Sequence, residues 1–338
     1  MESAIAEIER GGRVESRHAG TAVVVDAAGK VVFSLGDIDR PTYPRSAVKA
    51  FLALPLVESG AAGRLGLEDE ELALACASHT GEAAHVAVAA RMLARTGHDA
   101  ACLECGTHWP VDADAAHALA RAGGAPSALH NNCSGKHAGF VCLACDQDQK
   151  LGGYIHPDHP VMREVTAALA DVTGAAHGPD NMGIDGCSIP TYAIPLRALA
   201  HGFARFGTGH GLGPERARAA ARLRAAVAAA PFMVGGTGRF DSVLMQEMGP
   251  AVFSKMGAEG IMAASLPDQG LGIAVKCHDG APRAAEVAMA ALLMRFLGPD
   301  ARDNPVLRGL AQHDLRNWNG ITVGRVRAAG PMHPDHRP

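Results

Sequence analysis

Apolar positions along the chain follow two periods. Between Thr21 and Leu35 the stretch TAVVVDAAGKVVFSL holds two β-branched runs on either side of the turn segment DAAGK, and it predicts a hairpin lying on a sheet. From Ser46 to Gly60 the period changes: Val48, Phe51, Leu52, Leu56 and Val57 recur at helical spacing, and Gly60 stands where a helix C-cap belongs. Alanine-rich segments predict further helices over 82–95, 113–123, 161–173 and 215–229. The runs AVFSKMG (251–257), EGIMAAS (259–265) and GIAVKCHDG (272–280) predict strands, and a long helix follows over 282–297. Strands at both ends with helices between them predict one mixed α/β (α+β) domain over 1–338, its sheet combining N- and C-terminal strands.

Composition narrows the function. The 338 residues are 48% hydrophobic with a net charge of −4, which suits a soluble globular protein with a substantial core. Lys+Arg number 31 against Asp+Glu 35, and no basic run with interleaved aromatics occurs, so nucleic acid is excluded as a partner. The start, MESAIAEIERGGRVE, lacks a basic region followed by an apolar stretch, and no later apolar run is long enough to span a bilayer. The expected compartment is therefore the cytoplasm. Eight cysteines diluted through a chain of this size are expected to be reduced thiols, some of them ligands or core fillers.

Four constellations could carry chemistry. In Arg45-Ser46-Ala47-Val48-Lys49, serine and lysine lie three apart at the start of a predicted helix, which puts amine and hydroxyl on one face. A lysine of this kind serves as a base only when partly neutral, as burial makes it. Taken alone, S-x-x-K more often marks an N-cap serine and a surface lysine. Lys255-Met256-Gly257 on a late strand changes that balance, because Lys-x-Gly is the third element of the serine β-lactamase pattern, and Ser78-His79-Thr80 could set a second hydroxyl between the two lysines. The fourth constellation is NNCSGKHAGF (131–140) with Asp185-Gly186-Cys187-Ser188: Cys133 and Cys187 could be thiolate ligands of a metal, with Lys136, His137 or Asp185 nearby. Cys102/Cys105 and Cys142/Cys145 have zinc-ribbon spacing, but VCLAC continues the apolar pattern of AGFVCLA and reads as core helix.

Together these stretches resemble the rhizobial-type, class 3 L-asparaginases of the asparaginase II family over nearly the whole chain. The resemblance rests on RSAVK (45–49), CASHTGEAAH (76–85), NNCSGKHAG (131–139), DHPV (158–161), DGCSIPTYAIPL (185–196), GTGRF (236–240), KMGAEG (255–260), GLGIAVKCHDG (270–280) and NWNGITVGRVR (317–327). It implies a fold like that of serine β-lactamases and glutaminases, a homodimer, and L-asparagine as substrate. It also implies catalytic pairs Ser46 with Lys49 and Ser78 with Lys255, and a zinc ion (Zn2+) on Cys133, Lys136 and Cys187. Arg45 and Asp185 would line the site and His137 would stand beside the metal. The chain departs from the family at Ala50-Phe51-Leu52 after the lysine, at Met162 after DHPV, and at Asp241, where a rhizobial member carries cysteine.

Overall fold

In the computed structural model, which describes residues 3–333, the chain resolves into two compact units. Neither is continuous in sequence: among the described residues 3–47, 194–210 and 254–333 form one, and 48–193 and 211–253 the other.

The first unit is built on an antiparallel sheet whose spatial order is Gln312–Arg316, Thr322–Ala328, Ala4–Arg10, Arg13–Asp26, Leu271–Cys277, Ile261–Leu266 and Phe253–Met256, with Val31–Leu35 pairing Arg13–Asp26 off that path. N- and C-terminal strands therefore share one sheet, as the sequence predicts, and its antiparallel ladders make the architecture α+β. The predicted hairpin is present, with Val24 opposite Phe33. Its turn forms because the Asp26 carboxylate accepts the Ala28 and Lys30 amides at 3.0 and 2.9 Å, and Gly29 supplies the left-handed residue. The strand Ala4–Arg10 was not predicted. AIAEIER buries Ile5, Ala6 and Ile8 between charged residues, a pattern that helix and strand share.

Helix Leu196–Thr208 packs on strands Arg13–Asp26, Leu271–Cys277 and Ile261–Leu266, and helix Pro282–Phe296 also packs on this sheet. The first contact is closest at Gly272, where a Cβ would meet the Ala200 carbonyl oxygen.

The second unit is helical. The predicted helices appear as Ala83–Ala94, Ala113–Arg121, Pro160–Thr173 and Pro214–Ala229. The predicted 46–60 helix is broken into a 3-10 turn Arg45–Val48 and short helices Lys49–Leu52 and Leu54–Glu58, with Gly60 in the left-handed region at their end. Its center is helix Ser134–Asp146, buried on every side from Ser134 to Ala144. A buried carboxylate braces this unit: Glu71 accepts from Arg95 at 2.7 Å, from Arg91 at 3.2 Å and from the Glu68 amide at 2.8 Å. Burial alone would push that carboxyl up, but those donors outweigh it and hold it below its ordinary value.

Candidate active site

Lys49 opens its helix with its amine enclosed, at 1% exposure. Nζ lies 2.6 Å from the Ala77 carbonyl oxygen, 3.0 Å from Ser78 Oγ, 3.1 Å from Cys133 Sγ and 3.4 Å from the Asn132 carbonyl oxygen. The sequence pairs Lys49 with Ser46; the structure puts its amine on Ser78. Ser78 is held by its own amide, which donates to the Val234 carbonyl at 2.9 Å.

Beside Ser78, His79 is fully satisfied. Its Nδ1 accepts the Gly81 amide at 3.1 Å, so Nε2 carries the hydrogen and donates to Ser134 Oγ at 2.9 Å. The ring stacks on His85, which stacks on Phe232, with centroids 4.9 and 4.7 Å apart. Burial first, then the charges of His85 and Lys49, hold His79 well below the ordinary histidine range.

The loop before helix Ser134–Asp146 is fixed by Asn131, whose side chain donates to the Cys105 carbonyl at 2.9 Å and accepts the Cys133 amide at 2.9 Å. Gly135 lets this helix approach its neighbor Asp69–Ala75, since a Cβ there would run into the Leu74 carbonyl oxygen. Cys187 comes from a tight turn between short strands Met182–Ile184 and Pro190–Tyr192, closed by Asp185 N to Ile189 O at 2.8 Å, with Ser188 in the left-handed region at φ 77.

These loops bring three of the predicted metal ligands together. Lys136 Nζ lies 2.8 Å from Cys187 Sγ, and Lys49 Nζ 3.1 Å from Cys133 Sγ. Neighboring Cys187, then Lys49 and Lys136, outweigh burial and hold Cys133 well below the ordinary thiol value; neighboring Cys133 and burial push Cys187 up. Burial would lower Lys136, but the charges of Cys133 and Cys187 outweigh it and hold the amine above its ordinary value. Asp185 is half-buried, with a carboxylate oxygen 3.7 Å from Cys187 Sγ. His137 is fully buried, and burial followed by the charges of Lys136 and Lys49 holds it neutral.

Three predicted residues belong to the sheet unit. Arg45 has left-handed backbone, φ 50, immediately before the half-buried Ser46. Gly257 of Lys-x-Gly sits against this turn, because a Cβ would fall 2.7 Å from the Pro44 carbonyl oxygen and 3.1 Å from the Ala47 amide. Lys255 is fully buried on its strand, and its Nζ donates to the Met256 carbonyl at 2.8 Å. Arg45 also lines a cavity of about 220 Å³ with Tyr43, Glu259 and Lys276.

Other thiols take no part. All eight cysteines are free, and burial pushes Cys105 and Cys142 up to about 12, which leaves them inert. Among the described residues one His/Cys/Asp group has metal-ligand spacing, His18, Cys277 and Asp279. Its hydrogen bonds are already complete: Asp279 takes His18 Nδ1 at 2.6 Å and Cys277 Sγ at 2.9 Å, while Arg283 donates to His18 Nε2 at 3.1 Å. It reads as a brace at the end of its strand.

The profile described as L-asparaginase II matches residues 6–328. The chain belongs to that family. Membership makes it an amidohydrolase acting on a small molecule, with the buried amines and thiols as the groups to explain. No curated protein sequence matches the chain. Among solved structures it is similar to the LovD6 mutant of simvastatin synthase (LovD) from Aspergillus terreus, at 12% identity and a TM-score of 0.37, covering 77% of this chain and 86% of that one. No helix among the described residues is long and apolar enough to cross a membrane.

Sequence reasoning missed Tyr154, Asn131 and His79. His79 and Asn131 stand inside quoted motifs, so neighboring position could have flagged them. Tyr154 lies in GGYIHP with no spacing that ties it to the site.

Proposed function

We propose that the protein is an L-asparaginase of the rhizobial class 3 type, hydrolyzing L-asparagine to L-aspartate and ammonia by Ser-Lys catalysis. The observation that carries this reading is the enclosed Lys49 amine, 3.0 Å from Ser78 Oγ. The Ala77 carbonyl oxygen and Cys133 Sγ hold that amine in place against the serine hydroxyl, the pairing a Ser-Lys nucleophile and base need.

In the first step Ser78 Oγ bonds to the side-chain carbonyl carbon of asparagine as its proton passes to Lys49 Nζ. The C–N bond then breaks, the amide nitrogen takes that proton, and ammonia leaves. Water, deprotonated by the same amine, cleaves the ester and releases aspartate. Ser46, half-exposed behind the left-handed Arg45, is the second candidate nucleophile, with Lys255 as the further cation. The family resemblance would assign Arg45 and Asp185 to the carboxylate and ammonium of the amino acid.

Cys133, Lys136 and Cys187 suit zinc, since two buried thiols and an amine 2.8 Å from one of them form a soft N/S donor set. Bound there, the ion would supply positive charge that orients the substrate. Binding displaces the protons held on Lys136 and the thiol pair, so it weakens as pH falls. A homodimer, implied by the family resemblance, and cytoplasmic location, expected from the sequence pattern, are further parts of this reading.

Ammonia release from L-asparagine, L-glutamine and a penicillin tests the reading. Asparagine is expected to be cleaved, with glutamine far slower because a misplaced carboxamide costs on the order of a hundredfold. Folded protein inactive on asparagine overturns it, and preference for glutamine or penicillin moves the assignment to a glutaminase or β-lactamase-like amidase. Metal analysis should find one zinc per chain, lost in both Cys133→Ala and Lys136→Ala. Retention in both variants refutes that site.

A further inference from the structure

His137 is fully buried, yet only half its ring is satisfied: Nδ1 lies 2.7 Å from the Tyr154 hydroxyl, while Nε2 has no hydrogen-bond partner among the described residues. The Tyr154 side chain is itself fully buried, and its oxygen accepts the Glu104 amide at 2.8 Å. The Glu104 carboxylate in turn accepts the Gly153 amide at 2.8 Å, which ties the tyrosine's turn to the Glu104 loop.

Counting hydrogens decides the tautomer. If His137 carried its hydrogen on Nδ1, the tyrosine oxygen would accept twice, and its own hydrogen would be buried with no acceptor, beside an unpaired Nε2 lone pair. With the hydrogen on Nε2, the tyrosine donates to Nδ1 and a single group is left over, the Nε2–H. A buried donor left unpaired costs about 1–3 kcal/mol, so the arrangement with fewer orphans is favored.

We propose that Tyr154 is a positioning residue that locks His137 as the Nε2–H tautomer, so that His137 offers an N–H donor to a carboxamide or carboxylate oxygen of the substrate. This deepens the asparaginase reading and rests on it for the identity of that oxygen. It also removes His137 from the metal's ligands, because a protonated Nε2 has no lone pair to give and Nδ1 is taken.

The test starts with nitrogen-15 long-range NMR on histidine-labeled, ligand-free protein, the His137 signals being those lost in His137→Gln. The Nε2–H pattern is expected in the wild type, and loss of that single pattern in Tyr154→Phe. In the same variant kcat on asparagine should fall about 10- to 100-fold, the usual cost of removing a group that orients a histidine, with KM little changed. His137→Gln, whose amide can place an N–H near the same point, should retain more activity than His137→Leu. A wild-type ring protonated on Nδ1, or on both nitrogens, overturns the proposal. So does a folded Tyr154→Phe that loses the tautomer and keeps its kcat. Should Tyr154→Phe not fold, the wild-type spectrum and the two His137 variants decide. Should asparagine not be cleaved at all, the assignment of the reaction fails, and the spectrum still accepts or rejects the lock.

Discussion

Lys49 is the residue on which the proposed chemistry turns, because its amine touches both a hydroxyl and a thiol, Ser78 Oγ and Cys133 Sγ. Replacing it with methionine keeps the apolar stem and removes the base. Lys49→Met is expected to lower kcat on asparagine by on the order of 10²- to 10⁴-fold. Ser78→Ala should cost a similar factor, and the double variant should be scarcely worse than either, since residues acting as one unit give non-additive losses. Steady-state kinetics of the three variants check this. Losses that multiply would mean that Lys49 serves another hydroxyl, with Ser46 the first to examine. The sequence named both lysines and both serines because motif spacing carries them. It could not name the hydrogen bond from Lys49 to Ser78, which depends on where residues 77–78 pass the helix start. Tyr154 was illegible for the same reason: it meets His137 across 17 positions through a loop with no period.

Elements that expose one face were legible. Helix Pro160–Thr173 buries Val161, Met162, Val165, Ala168, Leu169 and Val172 at helical spacing, and its Gly174 terminates it in left-handed geometry. Helix Ser134–Asp146 is different. It holds serine, glycine, lysine and histidine at its start and is buried from Ser134 to Ala144, so that stretch has no polar face from which a period could be read. What lets it lie so deep is Gly135 against Leu74. Gly135→Ala should force the helix away from Asp69–Ala75, at about 1–3 kcal/mol for an overpacked contact. Because Lys136 and the Cys133 loop move with that helix, activity should fall in the same variant. Gly63→Ala is the control: its Cβ meets nothing within 4 Å, it lies in helix Ala61–Arg64, and alanine there should stabilize by a few tenths to about 1 kcal/mol. Urea midpoints of the two variants, read beside their rates, separate a packed helix from a tolerant one. Equal midpoints would mean that the Leu74 contact carries no constraint.

At the scale of the whole molecule the reading of a sheet shared by both chain ends held, because each end carries β-branched runs that need covering. The interleaving of two units was not visible, since chain re-entry at 194–210 leaves no change in composition. Buried histidines give the molecule its pH dependence. Burial, as the largest cause, holds both His79 and His85 below the ordinary value near 6.5, with neighboring His85 and Lys49 adding to the effect on His79 and Glu82 opposing it at His85. The sign follows from linkage: above about pH 6.5 neither folded nor unfolded chain protonates these rings, so nothing is lost. Below it the unfolded chain takes up protons that the folded chain refuses, and each such ring costs about 1.4 kcal/mol per pH unit until its folded value is reached. The contribution of these two rings should therefore be flat from about pH 7 upward and should fall as pH drops below about 6.5. His85 lies between the rings of His79 and Phe232, both within 12° of parallel to it, so His85→Phe keeps an aromatic stack and removes one titrating group. A packing cost in that variant would lower stability by the same amount at every pH. Loss of the titration would instead flatten the acid limb, by up to about 1.4 kcal/mol per pH unit where the unfolded ring is protonated and the folded ring is not. Urea unfolding of wild type and variant at a series of pH values reads the slope directly, and an unchanged slope would show that His85 is protonated as readily in the folded chain as in the unfolded one.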